Sequence, residues 1–166
     1  MTPWAHVISS FHGQWLPGDE RGFRNRGHRI HSTGAVERSA PIWEHRGLRQ
    51  RLAHCRDNAI VLTPDQGAVV GEALIEKLRS TGSRIGALAV SPTHCHALIE
   101  VGHGDAVKLF GRAKQLASLR LRGAHPDKLW GASSHVVRMQ DDAQIETARR
   151  YILAHRDEGA WVWPPR

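Results

Sequence analysis

A chain of 166 residues, 40% of them hydrophobic and 23% charged, is long enough to bury a core without disulfides, and its composition excludes a disordered protein. No apolar run has the roughly 18 residues of a membrane span, no apolar leader is visible, and the two cysteines lack metal or disulfide spacing, so we expect one soluble cytoplasmic domain, residues 1–166. The net charge of +7 favours a polyanionic partner, most simply nucleic acid.

The first predicted element is a strand over "WAHVISSFHG", residues 4–13, which is rich in β-forming residues and ends in glycine. Residues 14–58 follow as an irregular basic insertion with one short helix at about residues 45–57. Between Arg21 and Arg56 the insertion holds nine arginines against two acids. Arginine suits phosphates and base edges better than lysine does, so contact with nucleic acid is favoured over an ordinary solvated surface.

A helix is predicted next, with Thr63 as its N-cap, Pro64 in its first turn and Gly82 at its end. Its predicted apolar face consists of Val69, Ala73, Ile75 and Leu78. Residues 84–90 form a nearly continuous apolar strand, and a turn over residues 91–93 leads into the return strand at residues 94–101. The two strands therefore form a hairpin.

The rest of the chain predicts a basic amphipathic helix from Asp105 to Gly123 and a fourth strand over residues 134–140. A last helix is capped by Asp141 or Asp142 and ends at Gly159, and the tryptophans of the terminal "AWVWPP" are expected to strap the core. The order β-α-β-β-α-β-α predicts an α+β, ferredoxin-like fold, a four-stranded antiparallel sheet with helices packed on one face.

Two histidines lie one residue apart in the return strand. Because side chains alternate along a strand, His94, His96 and Leu98 share one face. The other face, formed by small and apolar side chains, is predicted to be the core side: Cys95, Ala97 and Ile99. Two neutral imidazoles one pleat repeat apart can chelate a divalent cation, although a pair of solvent-facing histidines is the simpler alternative. Two ligands are too few for a stable site, so a partner must come from elsewhere.

The last helix offers that partner. Tyr151 and His155 are four residues apart and therefore lie on one helical face. With Gln144 they form a stripe at the edge of the predicted apolar arc, which consists of Ile145, Ala148 and Ile152. A tyrosine at the border of a buried face and a histidine in a last turn are also ordinary structural choices. Tyr151 is nevertheless the only tyrosine of the chain, so it is the sole candidate for tyrosine chemistry.

Four blocks of the sequence, in order, resemble a known family. They are "QWLPGDERGF" at residues 14–23, "SPTHCHALIEV" at 91–101, the stretch 114–130 and "YILAHRDEGAW" at 151–161. Over most of the chain the sequence resembles the REP-associated tyrosine transposases, a group of single-tyrosine HUH transposases. It departs from the pattern of that family at Thr93, at Cys95 and at His155, where many relatives carry Asn or Gln. None of these departures removes a required chemical group.

The resemblance implies the HUH endonuclease fold and a reaction on single-stranded DNA or DNA hairpins. Tyr151 would be the nucleophile that attacks a phosphodiester, which leaves a 5′-phosphotyrosine and a free 3′-hydroxyl. A divalent metal, Mg²⁺ or Mn²⁺, would be held by His94 and His96, and His155 would complete its coordination or orient the nucleophile. The product is again a phosphodiester, so strand transfer can follow without ATP.

The resemblance also implies a DNA-binding surface. Candidate phosphate contacts lie in the insertion and on the basic helix: Arg21, Arg24, Arg26, Arg29, Lys108, Arg112, Lys114, Arg120 and Arg122. Trp15, Phe23 and Trp130 are candidates for stacking on an unpaired base, although such residues are more often part of a core. Single-tyrosine relatives work as monomers or as homodimers, so both states remain open.

Two other functions remain open as well. A domesticated hairpin-binding protein would bind DNA hairpins in a salt-dependent way and would form no covalent adduct. A small metal-dependent phosphoesterase would hydrolyse mononucleotides without a covalent intermediate, but it leaves the arginine excess unexplained. The intact set of His94, His96, Tyr151 and His155 favours the strand transferase.

Overall fold

The computed structural model describes residues 2–14 and 59–164. The chain divides into two compact units, Met1–His12 with Ile60–Arg166, and Gly13–Ala59. The second unit contains the predicted insertion at residues 14–58 and lies almost entirely outside the described residues. The predicted short helix at residues 45–57 is outside them too, as are four of the candidate DNA contacts, Arg21, Arg24, Arg26 and Arg29.

The first unit is an α+β structure, as predicted. Its elements in chain order are β1 (Trp4–Phe11), α1 (Pro64–Ser80), β2 (Ile85–Val90), β3 (His94–Glu100), α2 (Ala106–Arg120), β4 (Trp130–Arg138), α3 (Asp142–Ala154), a 3₁₀ helix (His155–Glu158) and β5 (Trp161–Trp163). The strands form one antiparallel sheet in the order β4-β1-β3-β2-β5. In the part of the chain that the structure describes, no helix is long and apolar enough to cross a membrane.

The prediction of a four-stranded sheet was wrong by one strand. Trp161–Trp163 pairs antiparallel with the outer edge of β2 and forms a fifth strand. The alternation Trp-Val-Trp explains this pairing, because Trp161 and Trp163 pack towards the main core and Val162 points to the opposite face. The predicted strapping of the core by the tryptophans is thereby confirmed.

The prediction that the helices pack on one face was also wrong. Helices α1 and α2 cover one face, where Leu74 and Phe110 join a core with Cys95. Helix α3 covers the other face, where Ile152 packs against a second cluster that includes Ala89 and Leu98. Both faces of β2 and β3 carry apolar side chains at this point, so the sheet needs a helix on each side. This arrangement places α3 over the face of the histidines.

The helix ends follow the predicted signals. Thr63 and Gln66 form a reciprocal capping box at the start of α1. Asp141 caps α3, because its carboxylate accepts a hydrogen bond from the Gln144 N–H at 2.8 Å. Within α1, Val69 is only partly buried, whereas its neighbour Val70 is fully buried, so the apolar face is rotated slightly from the predicted one.

The register of the sheet defines the surroundings of the two strand histidines. Ile8 of β1 lies opposite His96, and Ser10 lies opposite His94. His6 therefore occupies a position on the same face, diagonal to His96. On the other flank, Ala89 of β2 lies opposite His96 and is fully buried in the second cluster.

A candidate metal and tyrosine site on the histidine face

We call the side of β3 that carries His94, His96 and Leu98 the histidine face, and the side with Cys95, Ala97 and Ile99 the core face. The two sets separate as predicted, since the second lies in the main core and Leu98 lies in the cluster beneath α3. The histidine face is covered rather than solvated, because His96 is only 4% exposed.

Three histidines converge beneath the end of α3. His94, His96 and His155 each offer a ring nitrogen, and these three atoms lie within 4.8 Å of one another. His96 and His155 are buried, and His94 is half-buried. The fold therefore supplies the third imidazole that the strand pair lacked in sequence.

Each of the three rings is held by a hydrogen bond at Nδ1. The partner of His94 is the Thr93 hydroxyl at 3.0 Å, and the partner of His155 is the Tyr151 carbonyl oxygen at 3.0 Å. The partner of His96 is Nε2 of His6, also at 3.0 Å. A carbonyl only accepts, so the His155 Nδ1 carries the proton and its Nε2 holds a lone pair. Engagement of Nδ1 on every ring leaves Nε2 as the atom that can bind a metal.

His96 gives the clearest sign of a ligand. Its Nε2 is buried and has no hydrogen-bond partner among the described residues. Buried polar atoms in native structures are rarely left without a partner, so such an atom points to a group that binds there. Three imidazole nitrogens fit a divalent transition metal such as Mn²⁺ better than Mg²⁺, which prefers oxygen ligands. The residues present thus fit a metal ion.

The electrostatics keep these rings neutral. Burial, followed by the nearby His94 and His6, lowers the pKa of His96 to about 3. Burial also lowers the pKa of His94, where His155 acts in the same direction and Glu158 opposes it. At neutral pH both rings therefore carry a free lone pair, which is the form that a metal requires.

Tyr151 stands above this cluster. It is 52% exposed, and its ring centroid lies 4.8 Å from that of His155 and 5.4 Å from that of His96. Ile152, the next residue, is fully buried against the sheet and anchors this turn of α3. Tyr151 is thereby held beside the histidines while its ring stays open to solvent.

The end of α3 explains the placement of His155. Its backbone N–H bonds to the Ile152 and Leu153 carbonyls instead of the Tyr151 carbonyl, because the helix tightens into a 3₁₀ turn at this residue. The Tyr151 carbonyl is then satisfied by the His155 ring. One local hydrogen bond thus fixes the ring of His155 to the backbone of Tyr151.

A cavity of about 480 Å³ opens beside Tyr151. His6, Met139 and Thr147 line it, and Gln144, the predicted third member of the stripe, stands at its wall. Room for part of a substrate therefore exists next to the tyrosine side chain.

The structure does not bring the predicted DNA contacts of the basic helix to Tyr151. Lys108, Arg112, Lys114 and Arg120 belong to α2, and Arg122 follows it. Helix α2 packs on the core face, on the opposite side of the sheet from the histidines. Lys114 and Arg122 line a groove of about 730 Å³ there, and Arg120 forms an ion pair with Glu76 at 2.5 Å.

Trp130 belongs to the core, the alternative that the sequence favoured over stacking on a base. Its side chain is only 6% exposed and packs against Phe11, with ring centroids 4.8 Å apart. Its indole N–H donates to the Lys114 carbonyl, so both ends of the side chain serve the core. The other two stacking candidates, Trp15 and Phe23, lie outside the described residues.

One residue of the cluster was missed from sequence. His6 contacts His96, and its ring centroid lies 6.2 Å from that of Tyr151. Burial, followed by His135 and His155, lowers its pKa to about 4. The alternation of β1 places His6 on one face of that strand, but only the pairing of β1 with β3 reveals that this is the histidine face.

Comparison with known proteins identifies similar folds. The chain is similar to a REP-associated tyrosine transposase bound to a REP hairpin, with a TM-score of 0.52 and 14% identity over 96% of this chain and 70% of that chain. It is also similar to a candidate transposase from Deinococcus radiodurans, with a TM-score of 0.43 and 15% identity over 90% of this chain and 88% of that one. No family model matches the chain, and no curated protein matches it. The chain therefore shares its fold with the first of these structures, a protein of the group that the sequence resembles.

Proposed function

We propose that this protein is a metal-dependent transposase that nicks single-stranded DNA and transfers the strand through Tyr151. The observation that carries the proposal is the exposed tyrosine beside three converging imidazoles, one of which has a buried nitrogen without a partner among the described residues. The shared fold with a tyrosine transposase supports the same conclusion.

The reaction balances without any external energy source. The Tyr151 oxygen forms a bond to the scissile phosphorus as its proton leaves to water, and the bond from phosphorus to the 3′ oxygen breaks. The 3′ oxygen takes up a proton and leaves as the free hydroxyl of the upstream fragment, and the downstream fragment stays attached to Tyr151 through its 5′-phosphate. Attack by another 3′-hydroxyl reverses these steps on a new strand and restores the tyrosine.

The three histidines of the cluster have two proposed roles, metal binding and support of the nucleophile Tyr151. His94, His96 and His155 would hold the metal through their Nε2 atoms, and the hydrogen bonds at Nδ1 keep the three rings in place. A bound divalent cation would polarise the scissile phosphate and stabilise the charge that develops on its oxygens. His155 also links the two functions, because its ring donates to the backbone of the nucleophile. The phosphate must reach Tyr151 from the open side of α3.

The substrate that fits best is a DNA hairpin with an unpaired flank. Tyr151 is open to a DNA strand from solution, and the similar transposase was solved with a REP hairpin. The basic residues of the second helix region are proposed to contact DNA on the far side of the sheet: Lys108, Arg112, Lys114, Arg120 and Arg122. The insertion is proposed to supply further phosphate contacts: Arg21, Arg24, Arg26 and Arg29. A bound DNA would then have to extend around the sheet, which a hairpin with a flank can do whether a monomer or a homodimer binds it.

A covalent adduct tests this proposal. Hairpin oligonucleotides with randomised single-stranded flanks and a fluorophore at the 3′ end are incubated with the protein and Mn²⁺, and the products are separated under denaturing conditions. The labelled 3′ fragment should migrate with the protein, because it carries the 5′-phosphate bound to Tyr151. The adduct should vanish in Tyr151→Phe and after chelation with EDTA, and it should persist in His103→Ala, whose exposed histidine lies in the turn after β3.

Each other result has a distinct meaning. An adduct in Tyr151→Phe would disprove the role of Tyr151. Salt-dependent hairpin binding without an adduct for any metal would instead favour the domesticated binding protein. Turnover of mononucleotides without an adduct would favour the phosphoesterase.

A further inference from the structure

A fourth histidine, His6 of β1, contacts the cluster through His96. The Nε2 of His6 lies 3.0 Å from the Nδ1 of His96, and the two ring centroids are 5.2 Å apart. His6 is not one of the three residues whose ligand atoms converge within 4.8 Å. It contacts His96 at the ring nitrogen that does not bind a metal, so its place is next to a ligand and not among the ligands.

The hydrogen bond between the two rings can be made in two directions. A neutral imidazole carries its proton on one nitrogen and a lone pair on the other. When His96 donates from Nδ1 to Nε2 of His6, its own Nε2 holds the lone pair that a metal needs. In the opposite direction the His96 Nε2 carries a proton and cannot bind a metal. The direction of one hydrogen bond therefore decides whether His96 is a ligand.

We propose that His6 is a positioning residue that holds His96 in the metal-binding tautomer by accepting the proton of its Nδ1. This inference rests on the proposed metal centre. The buried Nε2 of His96 without a partner among the described residues supports this direction, because a lone pair that awaits a metal costs less there than an N–H with no acceptor.

The sheet makes His6 a rigid support. Strand β1 is paired on both sides, with β3 and with β4, so the backbone of His6 is held by two ladders. The other two ligand rings use local partners, a neighbouring hydroxyl and a helix carbonyl. His96 is the ligand whose orientation depends on a side chain from a distant part of the sequence, 90 residues away.

Metal binding tests the role directly. Mn²⁺ affinity is measured by electron paramagnetic resonance for the full-length protein and for three variants. His6→Leu fills the space without an acceptor, and His6→Gln places an amide oxygen near the position of Nε2. His103→Leu is the control, because His103 is an exposed histidine in the turn after β3 and does not contact the cluster. We expect His6→Leu to weaken Mn²⁺ binding by about 10- to 100-fold and His6→Gln to restore most of it.

The tautomer supplies a second readout that a packing role would not change. Nitrogen-15 shifts of His96 in the metal-free protein should show a proton on Nδ1 in the wild type and in His6→Gln, and a shift towards Nε2–H in His6→Leu. Wild-type Mn²⁺ affinity in His6→Leu with an unchanged tautomer would overturn the inference, as would a His6→Gln protein as weak as His6→Leu. If the wild type itself binds no Mn²⁺ while His96 keeps Nδ1–H, the metal centre fails and the tautomer role of His6 still stands.

Discussion

The two faces of β3 are built from neighbouring residues of one strand and present different side chains, a thiol among apolar groups on one and two imidazoles on the other. On the core face, burial raises the pKa of the Cys95 thiol to about 12, which keeps it protonated and inert. On the histidine face, burial lowers the pKa of His96 to about 3, which also keeps the side chain neutral. The same removal of water thus keeps the thiol protonated on one face and leaves the imidazole neutral, with a lone pair, on the other.

The covering helices explain the difference. Helices α1 and α2 present aliphatic and aromatic side chains such as Leu74 and Phe110 to the core face, so Cys95 lies in largely apolar surroundings. Helix α3 seals the histidine face with Ile152, and its end then brings His155 and Tyr151 to the strand histidines. The candidate site therefore lies where the apolar contacts of α3 end and the polar side chains of Tyr151 and His155 begin.

Of the changes that separate the two faces, removal of His96 should have the largest effect, on Mn²⁺ binding and DNA nicking. His96→Ala leaves the core face intact but deletes the buried imidazole proposed as a ligand, so we expect Mn²⁺ binding and DNA nicking to fall by at least about 100-fold. Cleavage assays and metal titrations measure both losses. Far-ultraviolet circular dichroism should show an unchanged fold, and His103→Ala should behave as wild type. Retention of nicking in His96→Ala would mean that the cluster is structural.

Acid should weaken the metal-free protein through the histidine face. His6 and His96 stay neutral in the folded protein because their pKa values are lowered to about 4 and about 3. In the unfolded chain their pKa values return to the ordinary histidine value of 6.5. Below that pH the unfolded state therefore binds more protons than the folded state does. The free energy of unfolding then decreases as the pH falls from 6.5 towards about 4. Melting temperatures in EDTA measure the slope.

The control for this pH dependence is the double variant His6→Leu with His96→Leu. Its melting temperature should fall less steeply between pH 6.5 and pH 4 than that of the wild type, because it lacks the two histidines that take up protons on unfolding in this range. An equal slope in the two proteins would assign the acid sensitivity to other groups.

The contact between α1 and β5, at the edge of the main core, can be disrupted by one methyl group on Gly71. A Cβ on Gly71 of α1 would lie within 2.1 Å of the Trp161 ring, so Gly71→Ala must displace this tryptophan of β5. We expect a loss of about 1–3 kcal/mol in the free energy of unfolding, measured in urea. Gly111→Ala on α2 is the matched control, since a Cβ there meets nothing within 4 Å, and it should stabilise the helix by up to about 1 kcal/mol. Equal effects of both would contradict the close packing of Trp161.

On the core face, Cys95→Ala should have the smallest effect on stability and none on metal binding. It removes one buried atom from the core face, and we expect a loss of about 1 kcal/mol in stability with no change in Mn²⁺ affinity or nicking. Urea unfolding and metal titration measure the two properties separately. A loss of metal binding in Cys95→Ala would show that the faces are coupled.

The sequence predicted the elements well where local signals were strong. Thr63 with Pro64, and Asp141 before α3, mark helix starts by hydrogen bonds within four residues, and both starts are confirmed. The fifth strand was assigned only as an extended piece, because Trp161–Trp163 is short and becomes a strand through its pairing with β2. The position of α3 opposite α1 and α2 depends on apolar side chains from both faces of the sheet, which periodicity along one strand does not reveal.

The candidate site was predictable only as far as local patterns reach. Alternation placed His94 and His96 on one face, and helical spacing placed Tyr151 with His155, but only the tertiary fold joins the two pairs. His6 carried no local signal, because one histidine in a strand is ordinary until its neighbouring strand is known. Their catalytic and metal-binding roles stay predictions.

The most direct test uses the fact that Tyr151 is the only tyrosine of the chain. In protein labelled with carbon-13 tyrosine, the ring signals need no assignment, and paramagnetic Mn²⁺ broadens nearby nuclei while diamagnetic Zn²⁺ does not. With ring centroids 4.8 Å and 5.4 Å from His155 and His96, the tyrosine signals should disappear on addition of Mn²⁺ and remain with Zn²⁺. They should also remain in His96→Ala with Mn²⁺. A wild-type protein that binds Mn²⁺ with high affinity and keeps sharp tyrosine signals would contradict the claim that the metal and the nucleophile share one site.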